Sequence, residues 1–295
     1  IGTQAMAVNT TGANNVALGF LAMSNSTTAS DNIAVGVNAL YTNTTGTSNT
    51  ALGRSALRYN TTATQNTAVG YQALSANITG VDNTGIGANA LFDNTTGGAN
   101  TALGVGALAN NTTASNNTAI GRSALVGNTT GASNVSVGYN SLTANTTGSN
   151  NTATGDSALT ANTTANNNTA NGYQALAANI TGENNVAVGL QALTSNTSSS
   201  NTAVGTQSLA ANTSGSNNVA TGYHALNANT TGAENTAVGK SALGSNTTAT
   251  NNTSIGHETL FSNTTGGSNS ALGRKALRSN TTGALNVAVG NNALY

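Results

Sequence analysis

Residues 66–82 read NTAVGYQALSANITGVD, and residues 83–99 continue with NTGIGANALFDNTTGGA. Both stretches follow one 17-residue pattern, whose places we number from 1 at the opening Asn, so that Asn66 is place 1 and Gly70 is place 5. The pattern fills the chain, with sixteen whole repeats over residues 15–285 and partial repeats at 1–14 and 286–295. Fifteen whole repeats have 17 residues and one, residues 185–200, has 16. A short fixed period predicts a solenoid, whose repeats are stabilised by stacking on their neighbours.

The repeats leave no residues for a linker or a second domain, so residues 1–295 are predicted to form a single repeat array. The chain starts in mid-repeat at Ile1, without an initiator Met or a signal peptide. We therefore expect it to be part of a longer protein.

The composition is unlike that of an ordinary globular enzyme. Charged residues make up 5% of the chain, against about 25% in typical domains. Seven Lys and Arg balance seven Asp and Glu, and the basic residues are scattered along the sequence. This pattern predicts no nucleic-acid partner and no binding to an anionic membrane. Apolar runs are much shorter than the roughly 20 residues of a membrane span, so no membrane insertion is expected.

Two columns of large aliphatic residues keep phase with the repeat, at places 4 and 9. If each repeat is one turn of a coil, these columns would stack into a continuous core, whereas a disordered polar tract would not hold such a phase. The predicted core residues are Leu18, Val35, Leu52, Val69 and Ile86 at place 4, and Leu40, Leu57, Leu74 and Leu91 at place 9.

Seventeen residues are too few for two helices and a turn, and segments such as Thr67-Ala68-Val69 are short and consist of small or β-branched residues. Gly occupies place 5 in all eighteen occurrences, which indicates a corner with positive φ or no room for a Cβ. The sequence thus predicts an all-β parallel β-solenoid, of the β-roll or β-helix type, with one repeat and two or three short strands per turn. Predicted corner residues include Gly19, Gly36, Gly53, Gly70 and Gly87.

A column of Asn recurs at place 12, and stacked Asn side chains can form a ladder of amide hydrogen bonds. The predicted ladder includes Asn43, Asn60, Asn77, Asn94 and Asn111. The alternative is N-glycosylation, because most of these residues lie in sequons such as Asn77-Ile78-Thr79.

No residue pattern indicates catalysis, a cofactor or a metal, and we expect a protein that is not an enzyme. His257 and Glu258 are the only neighbouring His and acid, and adjacent strand residues would face opposite ways. Aromatic residues at place 6 are the candidates for surface contacts with a glycan or another chain, the alternative being simple packing over the corner. They are Phe20, Tyr71, Tyr139, Tyr173 and Tyr223.

The N-T-A-V-G-x-x-A-L unit, as in residues 66–74, 235–243 and 286–294, resembles the head repeat of YadA-like trimeric autotransporter adhesins and related bacterial surface and phage tail-fibre repeats. The resemblance implies a left-handed β-roll, association of three chains, and a binding surface displayed outside a cell or virion. The family's head repeats are commonly shorter than 17 residues and lack the N-T-T-G segment.

Two functions follow as expectations. The first is an extracellular structural fibre or adhesin-like rod, at a cell surface or in a virion tail fibre, which self-associates as a homotrimer or filament and attaches to a host-surface or glycan receptor. The alternative is an ice-binding or glycan-binding solenoid module, because Thr recurs at places 2, 13 and 14.

Overall fold

The computed structural model describes all 295 residues, and its only regular elements are short β-strands. The chain forms two compact units, residues 1–150 (the N-terminal unit) and 151–295 (the C-terminal unit). The N-terminal unit holds strands β1 to β8, at Val16–Leu18, Ile33–Val35, Thr50–Leu52, Thr67–Val69, Thr84–Ile86, Thr101–Leu103, Thr118–Ile120 and Val135–Val137. The C-terminal unit holds β9 to β17, at Thr152–Thr154, Thr169–Asn171, Val186–Val188, Thr202–Val204, Val219–Thr221, Thr236–Val238, Thr253–Ile255, Ser270–Leu272 and Val287–Val289.

Within each unit every strand pairs in parallel with the strand one repeat later. Partners are 17 residues apart, as for Thr67 and Thr84, except across the short repeat, where Val186 pairs with Thr202. The 16-residue repeat is therefore one residue shorter in a part of the turn that lies outside the strand. The predicted all-β parallel solenoid, with one repeat per turn, is confirmed.

Each turn has one strand of three residues, at places 2 to 4, rather than the two or three expected. The reason is a left-handed backbone at places 7, 9 and 17, as in Gln72 (φ 55), Leu74 (φ 52) and Asp82 (φ 59). Leucine avoids this conformation by roughly 1–2 kcal/mol, so the sequence carries no sign of it. Burial of the Leu74 side chain and the hydrogen bond from its N–H to Ala90 O, 2.9 Å, act against that cost.

The glycines of place 5 have the positive φ that the sequence predicts, between 123° and 142°. They also lie directly against the next turn. A Cβ on Gly70 would be 2.6 Å from the carbonyl oxygen of Gly87, which is closer than real Cβ contacts allow. Both the dihedral angle and the stacking of turns therefore require glycine here.

The interior of each turn is lined by alanines at places 3 and 8 and by leucine at place 9, such as Ala68, Ala73 and Leu74, which have 0% exposure. The place-9 residues Leu40, Leu57, Leu74 and Leu91 lie in this core, as predicted.

The place-4 residues do not point inward, so the prediction that they form the core is wrong. Adjacent strand residues face opposite sides, and because place 3 faces inward, place 4 faces outward. The narrow interior, filled by the place-9 leucines, accepts only a small side chain at place 3. Leu18, Leu52 and Ile86 are between 36% and 46% exposed, and Val35 and Val69 are partly exposed.

Candidate functional site

The Asn ladder at place 12 forms inside the solenoid, confirming the prediction. In the N-terminal unit, from Asn60 onward, the Nδ2 of each place-12 Asn donates to the Oδ1 of the Asn one turn earlier, at 2.8–3.0 Å, and, as in Asn94, to a backbone carbonyl three residues later. These side chains have 0% exposure. The ladder runs through Asn43, Asn60, Asn77, Asn94, Asn111, Asn128 and Asn145.

The ladder is interrupted where the sequence departs from the repeat. Ser26 occupies place 12 of the first whole repeat, and its Oγ is buried without a hydrogen-bond partner, as is the Oδ1 of Asn9 one turn earlier. In the C-terminal unit the 16-residue repeat has a similar effect, because the Oδ1 of Asn179 has no partner. The ladder resumes at Asn196, whose Oδ1 accepts from Asn212 at 2.7 Å.

A second column of buried Asn, at place 1, uses its amide differently. The Oδ1 of Asn83 accepts the backbone N–H of Asn100 at 3.0 Å, and its Nδ2 donates to the carbonyl of Gly97 at 2.8 Å. Asn94 donates to the same carbonyl at 2.9 Å. The two Asn columns therefore meet at one backbone oxygen in each such turn, which satisfies polar groups that would be costly to bury alone.

The ladder bears on the alternative of glycosylation. Asn77, in the sequon Asn77-Ile78-Thr79, is fully buried, and both hydrogens of its Nδ2 point to protein acceptors, Asn60 Oδ1 and Gly80 O. A glycan on this nitrogen would replace one of those hydrogens and would have no space. The fully buried place-12 residues of the folded chain are thus closed to this modification.

The outward face of the strands carries exposed aliphatic side chains at place 4 and, in six of the seventeen strands, also at place 2, where the other eleven have Thr or Ser. We call this face, defined by places 2 and 4, the aliphatic stripe. In the N-terminal unit the exposed members are Val16, Leu18, Ile33, Leu52, Ile86, Leu103, Ile120 and Val135. Those of the C-terminal unit are Val188, Val204, Val219, Val238, Ile255, Leu272, Val287 and Val289. No charged residue occurs at either place in any turn. By the strand spacing of about 4.8 Å, the eight strands of the N-terminal unit give this stripe a length of roughly 34 Å.

The aromatic residues of place 6 lie beside the stripe, just past the corner glycine. Their rings are exposed by nearly half, from 46% for Tyr173 to 49% for Tyr71 and Tyr223. Val37, Val105 and Leu190 are exposed at the same place. The surface-contact candidates Phe20, Tyr71, Tyr139, Tyr173 and Tyr223 are accordingly all accessible to a partner.

Although the basic residues are spread along the sequence, four of the seven fall in the last turns of the C-terminal unit. We call Lys240, Arg274, Lys275 and Arg278 the basic ridge. Residues 17 apart in sequence lie on adjacent turns. Lys240 and Arg274, which are 34 positions apart, are therefore separated by only two turns. The one acid among them is Glu258, whose carboxylate accepts from Arg278 Nε at 3.0 Å and lies 3.8 Å from Lys275 Nζ.

His257 and Glu258 were expected to face opposite ways, and this is also wrong. Both lie in a turn rather than a strand, and His257 Nε2 is 3.9 Å from Glu258 Oε1. The arrangement is an ion cluster around one carboxylate, and no group of three or more His, Cys, Asp or Glu side chains is placed to hold a metal ion.

The cluster predicts that the last two whole turns, residues 252–285, are sensitive to acid. The hydrogen bond from Arg278, together with the positive charges of Arg278 and Lys275, outweighs partial desolvation and holds the pKa of Glu258 below its ordinary value of 4.5. Because folding lowers this pKa, the carboxylate contributes stability above about pH 4.5 and loses that contribution as the pH falls further. We expect Arg278→Gln to lower the melting temperature at neutral pH, and the difference from the unsubstituted protein to shrink under acidic conditions.

Thermal unfolding followed by circular dichroism at neutral and acidic pH measures this effect. Arg274→Gln is the matched control, since Arg274 forms no ion pair with Glu258. An equal melting-temperature difference for Arg278→Gln at both pH values would contradict the prediction.

Comparison of the chain with protein-family models, curated proteins and solved structures finds no match. The structure also contains no helix with the length and apolarity to cross a membrane. The binding partners of the aliphatic stripe and the basic ridge are therefore inferred from the geometry and chemistry of these two surfaces.

Proposed function

We propose that this chain is a segment of an extracellular structural rod, a fibre or an adhesin-like head, that self-associates side by side and presents a surface for attachment. The observation that carries the proposal is the aliphatic stripe. Monomeric proteins rarely leave contiguous apolar patches of more than a few hundred square ångströms in water. A stripe that repeats on turn after turn is instead typical of a surface covered by a partner.

A second copy of the chain is the occupant that fits the stripe best. A copy presents the same rows of Val, Leu and Ile at the same spacing along its axis, so the ridges of one chain can pack between those of another over many turns. No charge at places 2 or 4 opposes this contact. The contact can then grow to the roughly 800 Å² per partner of a stable interface by adding turns.

The extracellular part of the proposal is supported by the resemblance of the N-T-A-V-G-x-x-A-L unit to adhesin heads. The buried Asn ladders support a structural role, because they use the interior of the protein for hydrogen bonds between turns and leave no cavity there for a substrate. We accordingly propose a protein without enzymatic activity, forming a homotrimer or a filament.

The test replaces stripe residues by the polar residue that the chain itself uses at place 4 in other turns, as at Thr154 and Thr221. We expect the triple variant Leu52→Thr, Leu103→Thr and Ile120→Thr to dissociate assemblies of the unsubstituted chain, with an unchanged circular dichroism spectrum. Light scattering coupled to size exclusion and negative-stain electron microscopy measure the assembly. A monomeric unsubstituted chain at high concentration would refute the proposal, as would a triple variant that assembles equally well.

A further inference from the structure

Charge is segregated within the C-terminal unit, although the chain as a whole is neutral. Residues 151–234 contain Asp156, Glu183 and Glu234 and no Lys or Arg. Residues 235–295 contain the four cations of the basic ridge and a single acid, Glu258. This end of the unit therefore carries a local positive field that the overall charge hides.

Two members of the basic ridge, Lys240 and Arg274, share place 6 and lie two turns apart, about 9.6 Å along the axis, with His257 on the turn between them. Lys240 and Arg274 are exposed and form no ion pair with protein groups. Their charges are free to meet an anionic partner.

Aromatic rings flank the ridge. Tyr223 continues the place-6 column on the preceding turn, and its ring lies 5.9 Å from Lys240 Nζ. On the other side, the guanidinium of Arg278 is 5.3 Å from the ring of Phe261 and 5.9 Å from that of Tyr295.

We propose that the basic ridge binds an acidic polysaccharide, a linear polyuronate in which each sugar carries one carboxylate. In an extended polyuronate every second carboxylate lies on the same side of the chain, so same-side anions are two sugar units apart and can meet Lys240 and Arg274, which are two turns, about 9.6 Å, apart along the axis. The apolar face of a sugar ring can pack on the exposed side of Tyr223, whose other ring face is stacked on His224. Duplex nucleic acid carries a charge per roughly 1.7 Å of axis on two strands and calls for a broader basic surface than this column.

The inference names the ligand class for the attachment role proposed above and rests on that proposal for its biological setting. Binding itself does not require self-association, because the ridge lies at places 6, 7 and 10 and the aliphatic stripe at places 2 and 4. The two proposals can thus fail separately.

The experiment measures binding of polygalacturonate to the full chain by isothermal titration calorimetry, with neutral dextran as the reference polymer. We expect binding to polygalacturonate alone, weakening at least tenfold when salt is raised tenfold. The double variant Lys240→Gln and Arg274→Gln should lose at least tenfold in affinity. Glu258→Gln, which removes the only acid of the cluster, should bind more tightly.

Arg122→Gln is the matched control, since Arg122 also occupies place 6 but has Val105 and Tyr139 on the neighbouring turns. It should bind as tightly as the unsubstituted chain. The proposal would be overturned if the control and the double variant lost equal affinity, or if the unsubstituted chain showed no measurable binding. It would also be overturned if oligothymidylate or anionic vesicles bound more tightly than polygalacturonate. Light scattering on the same samples reports self-association independently, and we expect it to be unchanged in the double variant.

Discussion

Replacing Gly104 with alanine is expected to disrupt the stacking of its turn on the next, whereas the same change two residues later, at Gly106, should cost only about 1 kcal/mol. A Cβ on Gly104 would lie 2.5 Å from the carbonyl oxygen of Gly121 and 2.6 Å from its carbonyl carbon. The φ of Gly104, 138°, is also in a region that is essentially restricted to glycine. Because the clash is with backbone on the next turn, no side-chain rotation relieves it, and we expect a loss above about 4 kcal/mol.

Gly106 provides the matched control within the same turn. Its φ is 68°, and no atom lies within 4 Å of the position that a Cβ would take. Other turns hold Gln, Asn or Ser at this place with similar φ, so alanine there meets a modest backbone cost and no clash. Hydrogen exchange read by mass spectrometry resolves the two variants, since residues 100–134 should lose protection in Gly104→Ala and keep it in Gly106→Ala. Equal protection in both would show that the turns can separate without loss of structure.

Breaking the Asn ladder at Asn94 is expected to have the second largest effect. Its Nδ2 donates to Asn77 Oδ1 at 2.8 Å, and its Oδ1 accepts from Asn111 Nδ2 at 2.8 Å. In Asn94→Leu the Oδ1 of Asn77 loses this partner in a fully buried position, while Asn111 keeps its bond to Ala114. An unpaired buried acceptor costs about 1–3 kcal/mol, and lost hydrogen bonds add about 1 kcal/mol each. We expect a loss of roughly 3 kcal/mol.

Two further variants distinguish hydrogen bonding from packing. Asn94→Asp has nearly the shape of the native side chain but places a carboxylate against two acceptor oxygens, Asn77 Oδ1 and Gly97 O. Its destabilisation should exceed that of Asn94→Leu at neutral pH and decrease in acid, where protonation restores one donor. Thr96→Ala, at an exposed position of the same turn, should change the unfolding free energy by less than about 0.5 kcal/mol. Chemical denaturation compares the variants, and Asn94→Asp as stable as the native chain would contradict the ladder's role.

A substitution that adds an amide to the ladder tests the same idea, because it should increase stability. Ser26 leaves its own Oγ and Asn9 Oδ1 unpartnered, so Ser26→Asn should supply the missing donor and extend the ladder by one turn. We expect increased hydrogen-exchange protection in residues 9–32. No gain, or a loss, would indicate that the interior at this turn is too tightly packed for the larger amide.

The sequence alone determined the period, the stacking of turns, the corner glycines and the Asn ladder. Each of these is a constraint that one turn imposes on the next, so it recurs at every 17th position and can be recognised from the repeat. Gly70 and Asn94 could be identified in this way, because Gly fills place 5 in every turn and Asn fills place 12 in every turn but that of Ser26.

The tertiary structure decided which residues face inward, and where charge collects. Whether Ala68 or Val69 enters the core depends on the width of the interior, which Leu74 fills from the other side of the turn, in a left-handed conformation that its residue type disfavours. The basic ridge and the aliphatic stripe likewise exist only once the turns are stacked. Side-chain direction and proximity between turns are properties of the closed turn, which a local sequence pattern does not encode.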